Sequence, residues 1–334
     1  MRVGLTYDLR DDYRALGGFS EEALAEFDSE ETVAALEAAI GVLGHQVDRI
    51  GHIRRLAERL VGGDRWDLVF NFAEGIAGRS REAQVPALLE AFGIPYVLSD
   101  PLTQAVGLDK AMSKRLVRDA GVATAPFALV GDDADAAACA LPFPVFAKPV
   151  AEGTGKGCAP ASKVETPAEL VAVARALRAR FAQPVIVEPF LPGREFTVGI
   201  VGTGRDARAL GVLEIVLRES AEPGIYSFDN KELCESRVDY VLVDDTEAQA
   251  AAATALAAYR ALDCRDAARV DLRSDASGVP QFLEVNTLPG LHPTHSDLPI
   301  LATRAGIGYD RLIAAILEAA CTRLGLTPTQ RTAA

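Results

Sequence analysis

Strand-like and helix-like segments alternate through the first hundred residues, and this alternation restricts the possible fold more than any other feature. Short apolar runs predict strands at Val3–Tyr7, Val47–Ile50, Leu68–Phe72 and Ile94–Leu98. Helical apolar spacing predicts helices at Glu31–Leu43 and Glu82–Phe92. We therefore expect a small open α/β domain with a parallel sheet, whose ligands lie at the carboxyl ends of the strands.

Two long polar segments interrupt this regular pattern. Asp8–Ser29 follows the first strand, at the expected ligand edge of the sheet, and Arg218–Val238 follows a long strand in the second half of the chain. Their polar composition predicts irregular loops. Loops of this length in compact domains are usually functional.

Beyond residue 100 the pattern changes to a helical connector followed by paired strands. Spacers rich in Gly and Asp at 202–206 and 274–278 favour hairpin turns. The predicted order is an α/β domain over 1–99, a small α+β lobe over 100–188 and a larger antiparallel lobe over 189–334. Because ligand sites favour domain interfaces, we expect a nucleotide between the last two lobes.

Composition limits the partners. The net charge is −13, from 47 acidic and 34 basic residues, and a field of that sign repels nucleic acid and anionic membrane surfaces. The 5 cysteines are scattered without a CxxC pair, so we expect neither a disulfide framework nor a zinc site. No signal-peptide pattern or membrane-spanning apolar run is present, and we expect a cytoplasmic protein.

Oxygen-bearing side chains recur on the last predicted hairpin. Asp271 lies on its first strand, and Glu284 and Asn286 project from the same face of the second because they are two residues apart. Carboxylate and amide oxygens suit Mg²⁺ together with nucleotide phosphates. A solvated hairpin face would show the same spacing, so spacing alone leaves both interpretations open.

A lysine at a strand end and a glycine-rich turn predict a phosphate site. Lys148 ends an apolar strand, where an unpaired cation would be unfavourable. The turn Glu152-Gly153-Thr154-Gly155 follows, and its glycines allow backbone amides to approach phosphate oxygens. A turn without function would look similar. Lys110 and Lys114, four residues apart on a helix, by themselves predict a solvated helix face.

The segment 185–196 resembles a hinge between lobes, with an acidic residue on each side of a Pro-Gly turn. Its exposed backbone groups can pair with an adenine edge, and Glu195 can accept hydrogen bonds from ribose hydroxyls.

Taken in order over roughly residues 70–320, these segments resemble the ATP-grasp superfamily and, within it, the D-alanine–D-alanine ligase family. The resemblance rests on Asp109-Lys110 with Lys114, the strand ending at Lys148, Glu152–Gly155, Glu188–Glu195, Arg269–Asp271 and Glu284–Gly290. It implies an ATP-grasp fold, in which an N-terminal open α/β domain is followed by two lobes that clasp ATP. It also implies an ADP-forming carbon–nitrogen ligase that makes an amide through an acyl phosphate and works as a homodimer.

The resemblance also implies a role for each matched residue. Asp271, Glu284 and Asn286 would hold two Mg²⁺ or Mn²⁺ ions, while Arg269, Lys231 and the backbone of Gly290 would act in catalysis. The ATP-binding residues would be Lys110, Lys148, Glu152, Gly153, Thr154, Gly155, Glu188, Leu191 and Glu195.

The chain departs from the family pattern mainly on the substrate side. Thr154 and Gly155 replace the usual serines of the turn, Glu232 replaces a tyrosine and Glu74 replaces a histidine. The segment after Gly290 carries an extra residue, so that His295 or Ser296 is expected at the acceptor end. We therefore expect Glu74, Glu232, His295 and Ser296 to contact substrate.

The leading interpretation is a ligase for amino-acid-like substrates. Glu74 and Glu232 add two carboxylates near the substrate carboxylate, and this favours a substrate with an extra amine or guanidine-like group. A true D-alanine–D-alanine ligase of peptidoglycan synthesis is the alternative within enzymes. A non-catalytic nucleotide-binding protein is a further alternative, although no expected metal or phosphate ligand is missing. A dinucleotide oxidoreductase is set aside because no GxGxxG follows the first strand.

Overall fold

The computed structural model describes residues 1–326, which form three sheets with helices packed around them. The strands are β1 Arg2–Thr6, β2 Gln46–Arg49, β3 Leu68–Asn71, β4 Ala128–Val130, β5 Val145–Pro149, β6 Lys163–Val164, β7 Val185–Pro189, β8 Glu195–Val201, β9 Arg208–Leu217, β10 Val238–Val243, β11 Ala267–Ser274 and β12 Pro280–Asn286. The helices are α1 Arg10–Leu16, α2 Glu21–Leu24, α3 Glu30–Val42, α4 Ile53–Val61, α5 Gln84–Ala91, α6 Pro101–Leu108, α7 Lys110–Asp119, α8 Asp133–Ala137, α9 Pro167–Phe181, α10 Phe228–Glu232, α11 Cys234–Arg237, α12 Thr246–Ala261, α13 Asp297–Arg304 and α14 Tyr309–Leu324. Short 3-10 turns lie at Arg81–Ala83, Pro160–Ser162 and Gly204–Asp206.

The first sheet is parallel, in the order β2-β1-β3, as the alternation of strands and helices predicted. The prediction of a further strand at Ile94–Leu98 was wrong. Tyr96 forms only an isolated parallel bridge with Val69. Leu98 then adopts a left-handed backbone, with φ of 75°, which turns the chain away from the sheet edge.

The polar segment at 8–29 is folded, and the prediction of an irregular loop was wrong there. It contains α1 and α2, and the Ser20 hydroxyl caps α2 by accepting a hydrogen bond from Ala23 N. Apolar side chains from both helices and their flanks form a small core of their own: Phe19, Tyr13, Leu24 and Phe27. This core holds the segment at the carboxyl edge of the first sheet.

The second sheet is antiparallel, in the order β4-β7-β5-β6, and α9 packs against it through Leu170, Ala174 and Leu177. The third is also antiparallel, in the order β10-β9-β8-β11-β12. Both hairpins predicted beyond residue 200 are present, β8–β9 and β11–β12.

The third sheet is covered on both faces by helices. The alanine-rich α12 presents small side chains to β11 and β12, where Val270 and Leu272 are fully buried. On the other face, a Cβ at Gly199 would lie 2.7 Å from Leu298 Cδ1, so α13 approaches β8 closely. Because side chains alternate along a strand, the residues flanking Val270 and Leu272 on β11 face away from α12.

Short helices also fold the second polar segment, Arg218–Val238, which was predicted to be irregular. Ser227 caps α10 by accepting a hydrogen bond from Asn230 N, and the buried Asn230 amide donates to the carbonyls of Glu222 and Ile225. This segment, called the lid below, packs on the glycine-rich turn, since a Cβ at Gly155 would lie 3.3 Å from Phe228 N.

The three sheets occupy separate stretches of the chain, and the domain boundaries at 99/100 and 188/189 stay predictions. The last eight residues of the third predicted domain lie outside the described residues. Within residues 1–326, no helix is long and apolar enough to cross a bilayer.

Candidate active site

The hairpin β11–β12 brings the three expected metal ligands together. Asp271 pairs with Glu284 across the two strands, and Arg269 pairs with Asn286. The Asn286 amide donates to Asp271 Oδ2 at 3.1 Å, and the Thr197 hydroxyl donates to Asp271 Oδ1 at 2.5 Å. The side chains therefore form one cluster and not a solvated hairpin face.

The oxygen cluster lies in a field of positive charge. Lys110 Nζ is 3.1 Å from Glu284 Oε2. Burial alone would raise the pKa of Glu284, but the positive charges of Lys110, Lys148 and Lys231 outweigh it and hold the pKa well below its ordinary value. Glu284 is therefore an anion across the physiological pH range.

This donor set fits a hard divalent cation bound jointly with phosphate. Among the described residues, no three His, Cys, Asp or Glu side chains form a metal cluster by themselves. Two carboxylates and one amide instead leave coordination positions for phosphate oxygens, which is how Mg²⁺ usually binds at nucleotide sites.

A cavity between the second and third sheets is lined by the expected ATP-binding residues other than Gly153 and Thr154, which line a second cavity. Its walls include Lys148, Glu188, Leu191, Glu195 and Glu284, together with Gly155 of the glycine-rich turn. Apolar side chains such as Phe146, Phe196, Ile215 and Leu283 also line it. Charged and apolar side chains thus line the same cavity, which suits a nucleotide with its phosphates toward the lysines.

Buried ion pairs fix the lysines of this cavity. Lys114 Nζ lies 2.6 Å from Glu188 Oε1, and Lys148 Nζ lies 3.5 Å from Glu188 Oε2. Lys114 has no exposed side-chain surface, so the interpretation of Lys110 and Lys114 as a solvated helix face was wrong. The helix α7 instead lies between β7 of the second sheet and β12 of the third, and Lys114 contacts both strands.

The glycine-rich turn contains two residues in left-handed backbone conformations. Thr154 and Gly155 both have positive φ, 54° and 71°. Lys110 Nζ donates to the carbonyl oxygen of Glu152, while the Glu152 carboxylate pairs with Lys156 and accepts from Gln183 Nε2. Glu152 is thus held by protein partners and anchors the turn.

Two further residues of the ATP cavity are held by neighbours. Glu195 pairs with Arg273 at 3.1 Å. Lys231 extends from the lid with its Nζ 4.8 Å from the centre of the Tyr226 ring. Because Lys231 also lines a second cavity, it stands where the two cavities meet.

The second cavity lies between the hairpin β11–β12, the lid and the N-terminal segments. It shares six lining residues with the ATP cavity: Lys110, Glu152, Tyr226, Lys231, Glu284 and Asp297. A phosphate at this junction is accessible from both cavities. The arrangement suits transfer of a phosphoryl group from a nucleotide in the first cavity to a substrate in the second.

Arg269 and Gly290 line the second cavity beside the oxygen cluster. Arg269 pairs with Asp297 at 2.6 Å and with Asp271 at 3.0 Å, and its buried Nε has no hydrogen-bond partner among the described residues. A Cβ at Gly290 would lie 2.6 Å from Ser296 Oγ, so a larger residue there would displace the Ser296 hydroxyl. Asp297, the first residue of α13, positions Arg269 and was not identified from sequence.

All four expected substrate residues line the second cavity, although they differ in setting. Glu232 is an exposed lid residue, and Ser296 Oγ already accepts a hydrogen bond from His292 N. The contact with Cys234, whose Sγ lies 3.8 Å from His295 Nδ1, raises the pKa of His295. Glu74 lies across the cavity among the N-terminal segments.

Sequence reasoning missed a buried charge network built on Glu26. Its carboxylate pairs with Arg81 at 3.1 Å and with Lys156 at 2.9 Å, and it accepts a hydrogen bond from Gly153 N at 2.8 Å. Glu26 therefore holds the glycine-rich turn against the N-terminal domain. No periodicity or motif relates these residues, so no sequence signal could have found the network.

Comparison with known proteins agrees with this geometry. Residues 116–318 match the family model for the D-ala D-ala ligase C-terminus. The chain is 35% identical over 310 residues to a D-alanine–D-alanine ligase of Cupriavidus necator, covering 91% of this chain and 90% of that protein. It is 37% identical over 259 residues to an uncharacterized protein, y4sG, of Sinorhizobium fredii, covering 77% and 75%.

Solved structures show the same architecture. A D-alanine–D-alanine ligase from Bacillus anthracis complexed with ATP aligns with a TM-score of 0.69 at 24% identity, covering 97% of this chain and 98% of that one. The VanG D-Ala:D-Ser ligase from Enterococcus faecalis aligns with a TM-score of 0.72 at 21% identity, covering 96% and 99%. These matches confirm the expected mixed α/β and α+β ATP-grasp fold.

Proposed function

The chain belongs to the D-alanine–D-alanine ligase family of ATP-grasp enzymes, and on that premise we propose that it joins two amino-acid-like substrates in the second cavity. It is an ATP-dependent, ADP-forming carbon–nitrogen ligase. The two cavities meet at Lys110, Lys231 and Glu284, and this junction is the main support for the proposal. There a nucleotide phosphate and a substrate carboxylate can meet.

Most of the expected ATP-binding residues line the first cavity, whereas Gly153 and Thr154 line the second. Lys110, Lys148 and Lys231 neutralise the phosphates, and the amides of Thr154 and Gly155 donate to phosphate oxygens, while Gly153, whose N–H donates to Glu26, holds the turn in place. Glu188 and Leu191 lie at the adenine end. Glu195 receives the ribose, and Glu152 anchors the turn.

The family uses ATP with a divalent metal, and we propose two Mg²⁺ ions, replaceable by Mn²⁺, held by Asp271, Glu284 and Asn286. When bound, the metal neutralises the charge that develops on the transferring phosphoryl group. Glu284 remains ionised in the surrounding field of lysines, so it is ready to bind a cation.

The reaction has two steps. A substrate carboxylate oxygen attacks the γ-phosphorus, and the bond to the β-phosphate oxygen breaks to release ADP. An amine then attacks the acyl phosphate carbonyl, loses a proton and displaces phosphate. The Arg269 guanidinium and the Gly290 N–H stabilise the oxyanion of this second step, while the lid excludes water.

A screen of ADP release against pools of amino acids tests this function, followed by mass spectrometry of the product. The expected result is ADP release that requires divalent metal, together with a product whose mass equals the two substrates less water. ADP release without an amide product, or no release with any pool, would overturn it.

A D-alanine–D-alanine ligase of peptidoglycan synthesis is the second candidate, favoured by the names of the relatives that cover 91% of this chain. The altered substrate side argues against it, because carboxylates occupy positions 74 and 232, where the family has a histidine and a tyrosine. Kinetics with D-alanine distinguish the two candidates.

We further propose that the enzyme acts as a homodimer in the cytoplasm, as the family resemblance implies. Light scattering after gel filtration and fractionation of the source cells test these two points.

A further inference from the structure

Glu74 and Glu82 present carboxylates to the second cavity from its N-terminal side. Glu82 is only 9% exposed. Within residues 1–326, neither carboxylate forms an ion pair or a hydrogen bond. A buried carboxylate such as Glu82 normally has such a partner, and Glu74 beside it is half-buried, so the pair on one cavity wall indicates that a ligand supplies the partner.

Backbone packing brings the two residues together. Gly75 has a φ of 74°, and a Cβ at this position would lie 2.7 Å from the carbonyl oxygen of Arg81. Gly75 N also donates to Asp8 Oδ2 at 2.8 Å. Glu74 and Glu82 therefore lie next to the backbone contact between Gly75 and Arg81. This contact keeps the two backbone positions close together.

Neighbouring cations do not balance these two charges. Arg81 pairs with Glu26, and Lys156 pairs with Glu26 and Glu152. These ion pairs therefore involve Glu26 and Glu152, and neither Glu74 nor Glu82 takes part in them. Lys110 pairs with Glu284 on the hairpin, and Arg10, which also lines the second cavity, donates to the carbonyl oxygens of Ala25 and Phe27.

The pKa values of both Glu74 and Glu82 are shifted by this environment. Burial and the neighbouring charge of Glu82 raise the pKa of Glu74 well above its ordinary value, and burial raises the pKa of Glu82 to about 7. A bound cation would favour the ionised form of both carboxyl groups, so this wall suits a ligand with positive charge that binds as a proton is released. A zwitterionic amino acid has no net charge, whereas one with a second amine or a guanidine adds one positive charge.

We propose that Glu74 and Glu82 form a subsite for the cationic side chain of a dibasic amino acid, bearing an amine or a guanidine. The subsite deepens the proposed ligase function and rests on it. The sequence analysis expected Glu74 and Glu232 to select the substrate. In the proposed subsite the buried Glu82 takes this role together with Glu74, and the exposed Glu232 does not.

Matched amino-acid pairs test the subsite by calorimetric titration, which does not require turnover. The protein is first loaded with a non-hydrolysable ATP analogue and Mg²⁺. Lysine is compared with norleucine, ornithine with norvaline and arginine with citrulline, each as both enantiomers. We expect at least one cationic member to bind about 100-fold more tightly than its neutral partner, as for a desolvated charge pair.

Glu82→Gln and Glu74→Gln remove one charge at nearly constant volume. Each should reduce the preference for the cationic member at least about tenfold, while affinity for the neutral member stays the same or rises. Glu235→Gln is the control, because Glu235 lines the same cavity but is exposed, and the preference should persist there.

Equal affinity within every pair, failure of every cationic amino acid to bind, or a preference that survives both glutamine variants would overturn the subsite. These outcomes are separate from failure of the ligase function. An enzyme that makes amides from neutral amino acids only would retain the function and lose the subsite.

Discussion

Lys114 and Glu188 form an ion pair 2.6 Å long in which the lysine side chain has no exposed surface. The pair joins α7 to β7 across the wall of the ATP cavity. Lys114 also donates to the carbonyl oxygen of Phe282 at 2.8 Å, so one ammonium group connects the second sheet to β12. It holds together the two lobes between which ATP is proposed to bind.

Replacing Lys114 by Met should destabilise the protein by about 3–5 kcal/mol, because a buried carboxylate and a carbonyl lose a charged partner. Denaturant unfolding measures this change. Lys163→Met, at an exposed position on the same sheet, is the control and should change stability by less than about 0.5 kcal/mol. Equal stability of the two variants would contradict the structural role of Lys114.

Glu284→Gln should lower turnover by about 10²–10³-fold, since a charge that neutralises metal and phosphate is lost. Metal-dependent ADP release measures it, with circular dichroism as the check on folding. Unchanged turnover, or full activity of the wild-type protein in excess chelator, would refute the metal assignment.

Lys148→Met should weaken binding of a non-hydrolysable ATP analogue by about 10–100-fold, the effect of removing a charged hydrogen bond. Calorimetric titration measures the affinity, and Lys163→Met again serves as the control. A change in stability with unaltered affinity would mean that Lys148 only compensates Glu188.

The lid Arg218–Val238 should become more resistant to trypsin when nucleotide and magnesium are bound. It carries basic cleavage sites at Arg218, Lys231 and Arg237, and Lys231 lines the ATP cavity. Because Phe228 already contacts the glycine-rich turn, phosphate contacts would add to an existing closed arrangement. Identical cleavage rates with and without ligand would count against closure.

Free D-alanine should be a poor substrate. Glu74 and Glu82 have no ion-pair partner among the described residues, and D-alanine has no side-chain cation to supply one. Steady-state kinetics should give a kcat/KM for D-alanine at least about tenfold below that of the best dibasic amino acid. A higher value for D-alanine than for every other amino acid would support the peptidoglycan alternative instead.

Local signals predicted much of the fold correctly. The helix at Tyr309–Leu324 follows from apolar periodicity, and the hairpin β11–β12 follows from alternation around a Gly-Asp turn. Local signals failed at Ile94–Leu98, where apolar residues suggested a strand but the turn at Leu98 limited pairing to one bridge. They also failed in both polar segments, whose short helices depend on capping and on small local cores.

The sequence by itself determined that Glu284 and Asn286 project from one face of their strand, because side chains alternate along a strand, and it left open whether they meet Asp271 in a cluster. Only the tertiary structure decided which buried charges are paired. Glu26 meets Arg81 across 55 residues of chain, and Lys114 of α7 meets Glu188 of β7. Such pairing depends on how distant segments pack, so the same structure that satisfies Glu26 and Glu188 leaves Glu82 without a partner.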